Sequence, residues 1–328
     1  MPEYKISVQN LPGFSFLVQA QETLVQAAER QGISFPVSCE NGLCGTCKGQ
    51  LISGKTTYGN KEIYGLSSEE QAENQILFCS AMPEEDCVVE HPGIEIPPQH
   101  YDQILKVKAR QVLSDYVTEL SLETENPWIY KPGQYLNIEI PSSEKMKLPF
   151  SIANAPGTSL LKLHFQILAA QKNRELLLQC LKADQLHAEG PQGQAYLRNS
   201  SRPLLLVAGG SGFAPFSAIL EHLFQTASSR EIFLYWGGRK PEFLYAHEKL
   251  LSLQKTFPRL HYTPVISEPS ETAWFGRCGL VHHAVLEDHP NLSAFEAYLA
   301  GPYEMVKVAK ETFIQQGLSP RLVFSDMT

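Results

Sequence analysis

Cys39, Cys44 and Cys47 crowd into the stretch CENGLCGTCKG, and Cys79 follows in ILFCSAMP after 31 intervening residues. The other three cysteines, Cys87, Cys180 and Cys278, are scattered. Seven cysteines in a chain of 328 residues is an odd and uneven set, which argues against a disulfide framework and for metal or redox chemistry. A C-x4-C-x2-C run with a distant fourth cysteine is a spacing that ligates a 2Fe-2S cluster, with Cys39, Cys44, Cys47 and Cys79 as candidate ligands. Thiolates that wrap a cluster force the backbone into tight turns with N–H groups aimed at sulfur, and Gly42 and Gly45 remove the Cβ atoms that would obstruct this. Structural zinc is the rival, but it is usually held by paired C-x2-C knuckles, whereas Cys44 and Cys47 are the only such pair here. Cys87, in the strand-like CVVEH, reads as a core thiol.

The 43% hydrophobic content is enough for two or three domains. Residues 1–98 carry 13 acidic side chains against 5 basic ones, while residues 99–328 carry 22 of each, so the whole net charge of −8 sits in the first third. That balance speaks against nucleic-acid binding and suits docking on a basic partner surface, or simply a solvated acidic domain. No run approaches the roughly 18 to 20 apolar residues of a membrane helix, and MPEYKISVQN lacks a basic-then-apolar export signal. A cytoplasmic protein with no membrane partner is expected.

Residues 4–18 alternate around LPGF as a hairpin, and ETLVQAAERQGI has helical spacing ending at Gly32. HPGIEIPPQ concentrates Pro and Gly as a semi-rigid linker. Short β-like runs (ILKVKARQVL, TELSLET, QYLNIEI, LLKLHFQIL) then predict an antiparallel barrel. From Pro203 onward, buried-type strands alternate with helices as in a parallel α/β sheet. The expected organisation is a domain over 1–92, a linker over 93–100, a barrel over 101–201 and a Rossmann-like sheet over 202–328. This is a multidomain chain of α+β and α/β parts.

Residues 1 to about 95 resemble a plant-type ferredoxin domain of the β-grasp kind. LPFSIANAPG (Leu148 to Gly157) resembles the flavin motif of the ferredoxin-NADP reductase superfamily, and VAGGSGFAPFSAIL with YLAGPYEM resembles its nicotinamide-binding pair. The resemblance implies that Lys147, Pro149, Phe150, Ser151, Ile152 and His164 surround the flavin, with the Ser151 hydroxyl a catalytic hydrogen-bond partner for N5. It also implies that Gly209, Gly210, Ser211, Gly212, Pro215, Gly301 and Pro302 receive NADH or NADPH. Glycines between a strand and a helix expected to begin near Phe216 let a backbone approach a pyrophosphate, although GGSGFAP lacks the GxGxxG order.

Four departures are expected to matter. Leu148 stands where the family carries an arginine on the flavin phosphate, leaving Lys147 and Lys145 as the nearest cations. KNRE (Lys172 to Glu175) replaces the G-x-x-[ST] segment that receives the FAD pyrophosphate, with Arg174 a partial substitute. Ala300 replaces a frequent cysteine, and after FSDM the aromatic that often covers the flavin is expected to be missing. FAD is therefore expected to be held weakly. Arg239 and Lys240 in GGRKPEFLY offer a place for a 2′-phosphate, or are a solvated basic turn.

With CGTCKGQLISG, SIANAPG, EGPQG, GFAP and HHAVLED, the chain resembles the reductase components of bacterial oxygenases and the iron-sulfur flavoprotein reductases of CDP-3,6-dideoxyhexose synthesis. YWGGR and AGPYEM resemble bacterial NAD(P)H:flavin reductases. These resemblances imply an oxidoreductase that carries electrons from NAD(P)H via flavin to a 2Fe-2S cluster, and on to a separate oxygenase or deoxysugar dehydratase component. Two alternatives remain: an NAD(P)H:flavin oxidoreductase using free flavin as substrate, and a ferredoxin-type carrier whose flavin site has degraded.

Overall fold

In EYKISV and SFLVQ apolar side chains recur at every second residue, the period of a half-buried strand. The computed structural model describes residues 2–11, 14–31, 33–91, 93–94, 100–141, 146–169, 171–269, 274 and 276–326. In it these stretches are β1 (Glu3–Val8) and β2 (Ser15–Gln19), antiparallel with Glu3 opposite Gln19. Pro12 and Gly13 of the expected turn, Gly32 at the expected helix end and residues 95–99 of the expected linker lie outside the described residues, as does Lys145. α1 (Leu24–Arg30) starts on a capping box between Thr23 and Gln26 and buries Leu24, Val25, Ala27 and Ala28.

β3 (Lys48–Ser53), β4 (Thr56–Thr57), α2 (Ser68–Ala72), β5 (Gln75–Leu77), β6 (Met82–Pro83) and β7 (Cys87–Glu90) complete this part. Its mixed sheet has the order β2-β1-β7-β3-β5, with β1 and β7 parallel. Ile6, Phe16, Val18, Leu24, Phe78 and Val89 form its buried core, a β-grasp arrangement. The chain divides into two compact units, Met1–Gln99 and His100–Thr328.

The second unit opens with β8 (Tyr101–Ser114), β9 (Val117–Glu123), β10 (Tyr135–Glu139), β11 (Lys147–Ser151), β12 (Leu160–Gln166), α3 (Arg174–Lys182) and β13 (Gln185–Gln192). The six strands pair antiparallel in the order β11-β10-β13-β8-β9-β12, and a bridge between Ile152 and Leu163 brings the edges together as a barrel. Leu120, Leu122, Leu136, Ile138, Leu161, Leu163 and Phe165 fill it.

A parallel sheet follows: β14 (Leu204–Gly209), α4 (Ala214–Gln225), β15 (Ile232–Gly238), α5 (His247–Thr256), β16 (Leu260–Ile266), β17 (Arg277–Cys278), α6 (Val281–Asp288), β18 (Glu296–Ala300), α7 (Tyr303–Gln315) and β19 (Val323–Phe324), in the order β17-β16-β15-β14-β18-β19. The run LLLVA is buried on both faces: Leu204, Leu206 and Ala208 pack with α4 and α5, and Leu205 and Val207 with α6 and α7. The helix after β14 was expected near Phe216. Instead a 3-10 turn (Gly210–Phe213) comes first and α4 begins at Ala214, with Pro215 in its first turn where no N–H is needed. The Glu221 carboxylate of α4 accepts the Ala155 N–H at 3.0 Å, tying barrel to sheet. Among the described residues no helix is long and apolar enough to cross a membrane.

Arg230 and Glu296 form a buried ion pair, N to O 3.2 Å, and the Tyr298 hydroxyl donates to the same Glu296 oxygen at 2.9 Å. Removing the cation leaves a carboxylate buried without its partner. Arg230→Met should therefore destabilise the second unit by about 3 kcal/mol. Trp128, Trp236 and Trp274, the only three tryptophans, all lie in that unit, so the urea midpoint of their fluorescence reads the effect directly. An unchanged midpoint would sink the assignment.

Candidate functional site

The loop that precedes β3 is shaped by its own cysteines. Cys39 is half-buried, Cys44 exposed, and Cys47 and Cys79 are buried. The Cys44 N–H donates to Cys39 Sγ at 3.4 Å, and the Cys44 thiol donates to Thr46 Oγ1 at 3.2 Å. The Phe78 N–H donates to the Cys47 carbonyl at 3.1 Å and so holds Cys79 beside Cys47. The Asn41 N–H first, then the Cys44 thiol and the N–H groups of Cys44 and Leu43, lower the Cys39 thiol to about 6. Burial raises the Cys47 thiol to about 12, with the Cys79 thiol adding to the rise.

Among the described residues no three ligating side chains close on one ion; the thiols meet as two pairs, Cys39 with Cys44 and Cys47 with Cys79. Gly42 and Gly45 turn through φ of +83° and +74°, and a Cβ on Gly42 would lie 2.9 Å from Ile63 Cδ1. Four thiols, backbone N–H groups aimed at sulfur and turns that exclude Cβ atoms suit a metal–sulfur centre. Cys87 is a core thiol that donates to the Glu85 carbonyl at 3.3 Å.

β11 pairs with β10 so that Ser151 faces Tyr135 and Pro149 faces Asn137. Successive residues point to opposite sides. Leu148 and Phe150 pack on the barrel core, Phe150 stacked on Phe165 with ring centroids 4.1 Å apart. Pro149 and Ser151 line a cleft with Gly133, Tyr135, Ala195 and Asp326, and its opposite wall is Pro215 and Phe216 of α4 and Tyr298 to Ala300 of β18. The flavin-type and nicotinamide-type motifs thus meet across one cleft.

The two nucleotide-type loops pack backbone on backbone. A Cβ on Gly212 would stand 2.2 Å from the Ala300 carbonyl oxygen, and one on Gly301 would stand 2.9 Å from Gly209. These glycines serve loop-to-loop packing. Gly210 differs: it has φ +54° and no atom nearer than Gln166 Oε1 at 3.6 Å, so this is where the backbone stands open. Ser211 lies beside it in the 3-10 turn, and a Cβ on Gly209 would stand 2.8 Å from Pro302.

Other expected residues are engaged elsewhere. The Lys147 ammonium pairs with Glu189, which raises its pKa. Ile152 is buried in the barrel core and its N–H donates to the Gln134 carbonyl at 3.0 Å. His164 is buried with both ring nitrogens bonded, to Tyr245 and Glu119, and has no ring nitrogen left for a cofactor. Arg174 pairs with its neighbour Glu175 at 2.8 Å. Arg239 is exposed, its guanidinium 5.5 Å from the Phe243 ring centroid. Cys278 is exposed and does not line the cleft; Cys180 is buried on α3.

Tyr135 and Asp326 are cleft residues that no motif announces. Asp326, in FSDM, accepts the Gln194 N–H at 2.9 Å and the Ala195 N–H at 3.1 Å, while Phe324 stacks on Tyr298 at 5.0 Å. Burial, helped by the Asp326 charge, raises the Tyr135 phenol, so it stays protonated as a donor. The cleft can therefore offer two hydroxyls and a carboxylate among apolar walls to a flat polar ring.

Two family models match the chain: a 2Fe-2S iron-sulfur cluster binding domain over residues 9–84 and an oxidoreductase NAD-binding domain over residues 206–311. All four paired cysteines lie in the first and both glycine loops in the second. The CDP-6-deoxy-L-threo-D-glycero-4-hexulose-3-dehydrase reductase of Yersinia pestis is 31% identical over 330 residues, covering 96% of this chain and 95% of that protein. The NAD(P)H-flavin reductase of Vibrio harveyi is 37% identical over 218 residues, covering 64% of this chain and 91% of that protein. Among solved structures, the Amycolatopsis cytochrome P450 reductase GcoB is similar with a TM-score of 0.64 and 28% identity, covering 98% of each chain.

The glycine geometry separates packing from open space. Gly212→Ala drives a methyl into the Ala300 carbonyl and should cost about 2 kcal/mol. Gly210→Ala meets only the end of Gln166, at an ordinary contact distance of 3.6 Å, and should cost about 1 kcal/mol from left-handed backbone strain. Urea midpoints followed by tryptophan fluorescence check the order, and a larger loss at Gly210 would overturn it.

Proposed function

This chain belongs to the iron–sulfur reductase family in which a 2Fe-2S cluster binding domain is joined to an oxidoreductase NAD-binding domain, and on that footing we infer an electron relay from NAD(P)H, through flavin, to the cluster and on to a separate protein. The observation that carries this reading is the single cleft where Pro149 and Ser151 face Pro215 and Ala300. Flavin, when bound, takes an electron pair from a reduced nicotinamide and gives single electrons to an iron–sulfur centre, the conversion that a two-electron donor and a one-electron acceptor require.

The chain's own residues supply binding and orientation. Pro149, Ser151 and Tyr135 form the barrel wall of the cleft, and the Ser151 and Tyr135 hydroxyls would orient a bound flavin there. Gly210 and the 3-10 turn after β14 present an open backbone to the nucleotide phosphates, whose charge suits the start of α4. Cys39, Cys44, Cys47 and Cys79 hold the cluster, and the N–H groups around Cys39 stabilise its thiolate. The separate acceptor is an oxygenase or deoxysugar dehydratase component that docks a basic face on the acidic residues of the first unit. The reaction takes place in the cytoplasm, where thiols stay reduced.

A second reading, an NAD(P)H:flavin oxidoreductase with exchangeable flavin, is favoured by one feature of the barrel. Two of the cations expected near the phosphates are already paired, Lys147 with Glu189 and Arg174 with Glu175, and Leu148 packs on the barrel core. Ring contacts then carry the affinity.

Protein purified without oxygen should show cluster absorption, and NADH or NADPH should bleach it once flavin is present; no bleaching by either would end both readings. Cys44→Ser should lose that bleachable absorption while NAD(P)H oxidation with riboflavin as acceptor continues at the wild-type rate. Wild-type cluster reduction in that variant would refute the ligand assignment. If phosphates are unheld, riboflavin, FMN and FAD should bind within about threefold of one another, since a charge-assisted phosphate contact contributes more than that. A dialysis experiment in which FAD binds a hundredfold more tightly would restore a phosphate site.

A further inference from the structure

Buried Glu119 and His164 and half-buried Tyr245 form a hydrogen-bonded chain that the relay described above does not use. Glu119 stands directly opposite His164 in the β9–β12 register. His164 Nε2 lies 3.3 Å from Glu119 Oε2, His164 Nδ1 lies 2.9 Å from the Tyr245 hydroxyl, and Lys162 Nζ lies 2.9 Å from the other Glu119 oxygen. Burial alone would raise the Glu119 carboxyl, but His164 and Lys162 outweigh it and hold the carboxyl below its ordinary range. A carboxylate can only accept, so in the neutral ring Nε2 carries the proton and donates to Glu119, and Nδ1 accepts from the Tyr245 hydroxyl. One assignment satisfies every member.

The two ends of the chain lie in different layers. Glu119, Lys162 and His164 are barrel residues, whereas Tyr245 follows β15 of the parallel sheet. The Tyr245 ring packs edge-on against Phe213 at 5.9 Å and Trp236 at 5.0 Å, and those two rings stack at 4.3 Å. Phe213 closes the 3-10 turn of the glycine loop, and the Trp236 indole N–H donates to the Gly210 carbonyl at 2.9 Å. Gln166, two residues beyond His164 and on the same strand face, is the neighbour of Gly210.

We propose that His164 is a positioning residue for the nicotinamide nucleotide: through Tyr245 and the Phe213–Trp236 stack it fixes the Gly210–Phe213 turn against the barrel. The proposal rests on the reading of that turn as the nucleotide loop. It assigns His164 a role away from the flavin, and it makes this barrel residue a contributor to nucleotide affinity through Tyr245. Lys162, at the outer end, holds the Glu119 carboxylate and so the tautomer of His164.

The test uses the full chain, freed of flavin, with NADH and NADPH titrated by equilibrium dialysis and riboflavin titrated separately. Tyr245→Phe deletes one hydroxyl and keeps the ring. It should weaken nucleotide binding about fivefold, the value of one neutral hydrogen bond, with riboflavin affinity unchanged. In turnover with riboflavin, KM for the nucleotide should rise while kcat holds. Glu119→Gln should act in the same direction, and the double variant should be little worse than Tyr245→Phe alone, because both act through His164. Wild-type protein that binds neither nucleotide would overturn the functional reading and this proposal with it. Wild-type binding with an unaltered Tyr245→Phe constant would overturn the proposal alone, as would an equal loss of nucleotide and riboflavin affinity, which would mark a general structural tie.

Discussion

Gly212 and Ala300 meet backbone to backbone, so close that a methyl on Gly212 would stand 2.2 Å from the Ala300 carbonyl oxygen. The rest of the site depends on that contact. β14 and β18 are neighbours in the parallel sheet with Ala208 opposite Ala300, so their chains leave the sheet at the same edge. Ligands of open α/β sheets bind beyond the carboxyl ends of the strands, and two loops leaving side by side must either pack or splay. Small residues let them pack, and only then does Pro215 lie beside Ala300 and face Ser151 from the barrel. The glycines of GGSG accordingly answer to two different demands, loop packing at Gly212 and an open backbone at Gly210.

The first unit solves a different problem. Cys39, Cys44 and Cys47 sit on a loop with little regular structure and Cys79 in the turn after β5, and of these four Cys47 and Cys79 are buried. Burial disfavours a thiolate and backbone N–H groups favour one, and the loop applies both: Cys47 is pushed up and Cys39 is pulled down. A bound metal supplies the positive charge that a buried thiolate lacks, so metal retention and the fold of this loop support each other.

Much of this architecture can be read from local sequence. Alternation marks β1 and β2, the unbroken run LLLVA marks a strand buried on both faces, and the cysteine spacing names the cluster-type loop without any tertiary knowledge. The start of α4 at Ala214 is less legible, because glycines at the end of a strand say that the chain turns, not how many residues the turn takes. His164 and Asp326 were harder. His164 lies in an ordinary alternating strand, and its partners are 45 and 81 residues away, so nothing local distinguishes a bonded histidine from one facing a ligand. Asp326 reaches the cleft across 131 residues of sequence to meet the Ala195 N–H, and Tyr135 is placed by strand pairing alone. Motifs report the residues that touch a cofactor's backbone-facing parts; side-chain partners supplied by another layer leave no trace at fixed spacing.

The pairing of Lys147 with Glu189 bears on how the relay and the exchangeable-flavin reading differ. On the exchangeable-flavin reading, the carboxylates beside Lys147 and Arg174 offset charge that would discriminate FAD from riboflavin, and affinity then rests on ring stacking and a few hydroxyl contacts. Such a site admits any flavin, and whichever step is faster then decides the outcome. If electrons leave for the cluster before the ring dissociates, the chain behaves as a reductase with a resident cofactor. If dissociation comes first, the same residues release reduced flavin. Leu148 on the barrel core and the carboxylates beside Lys147 and Arg174 would together shift that balance toward release, without altering the cysteines or the glycine loops.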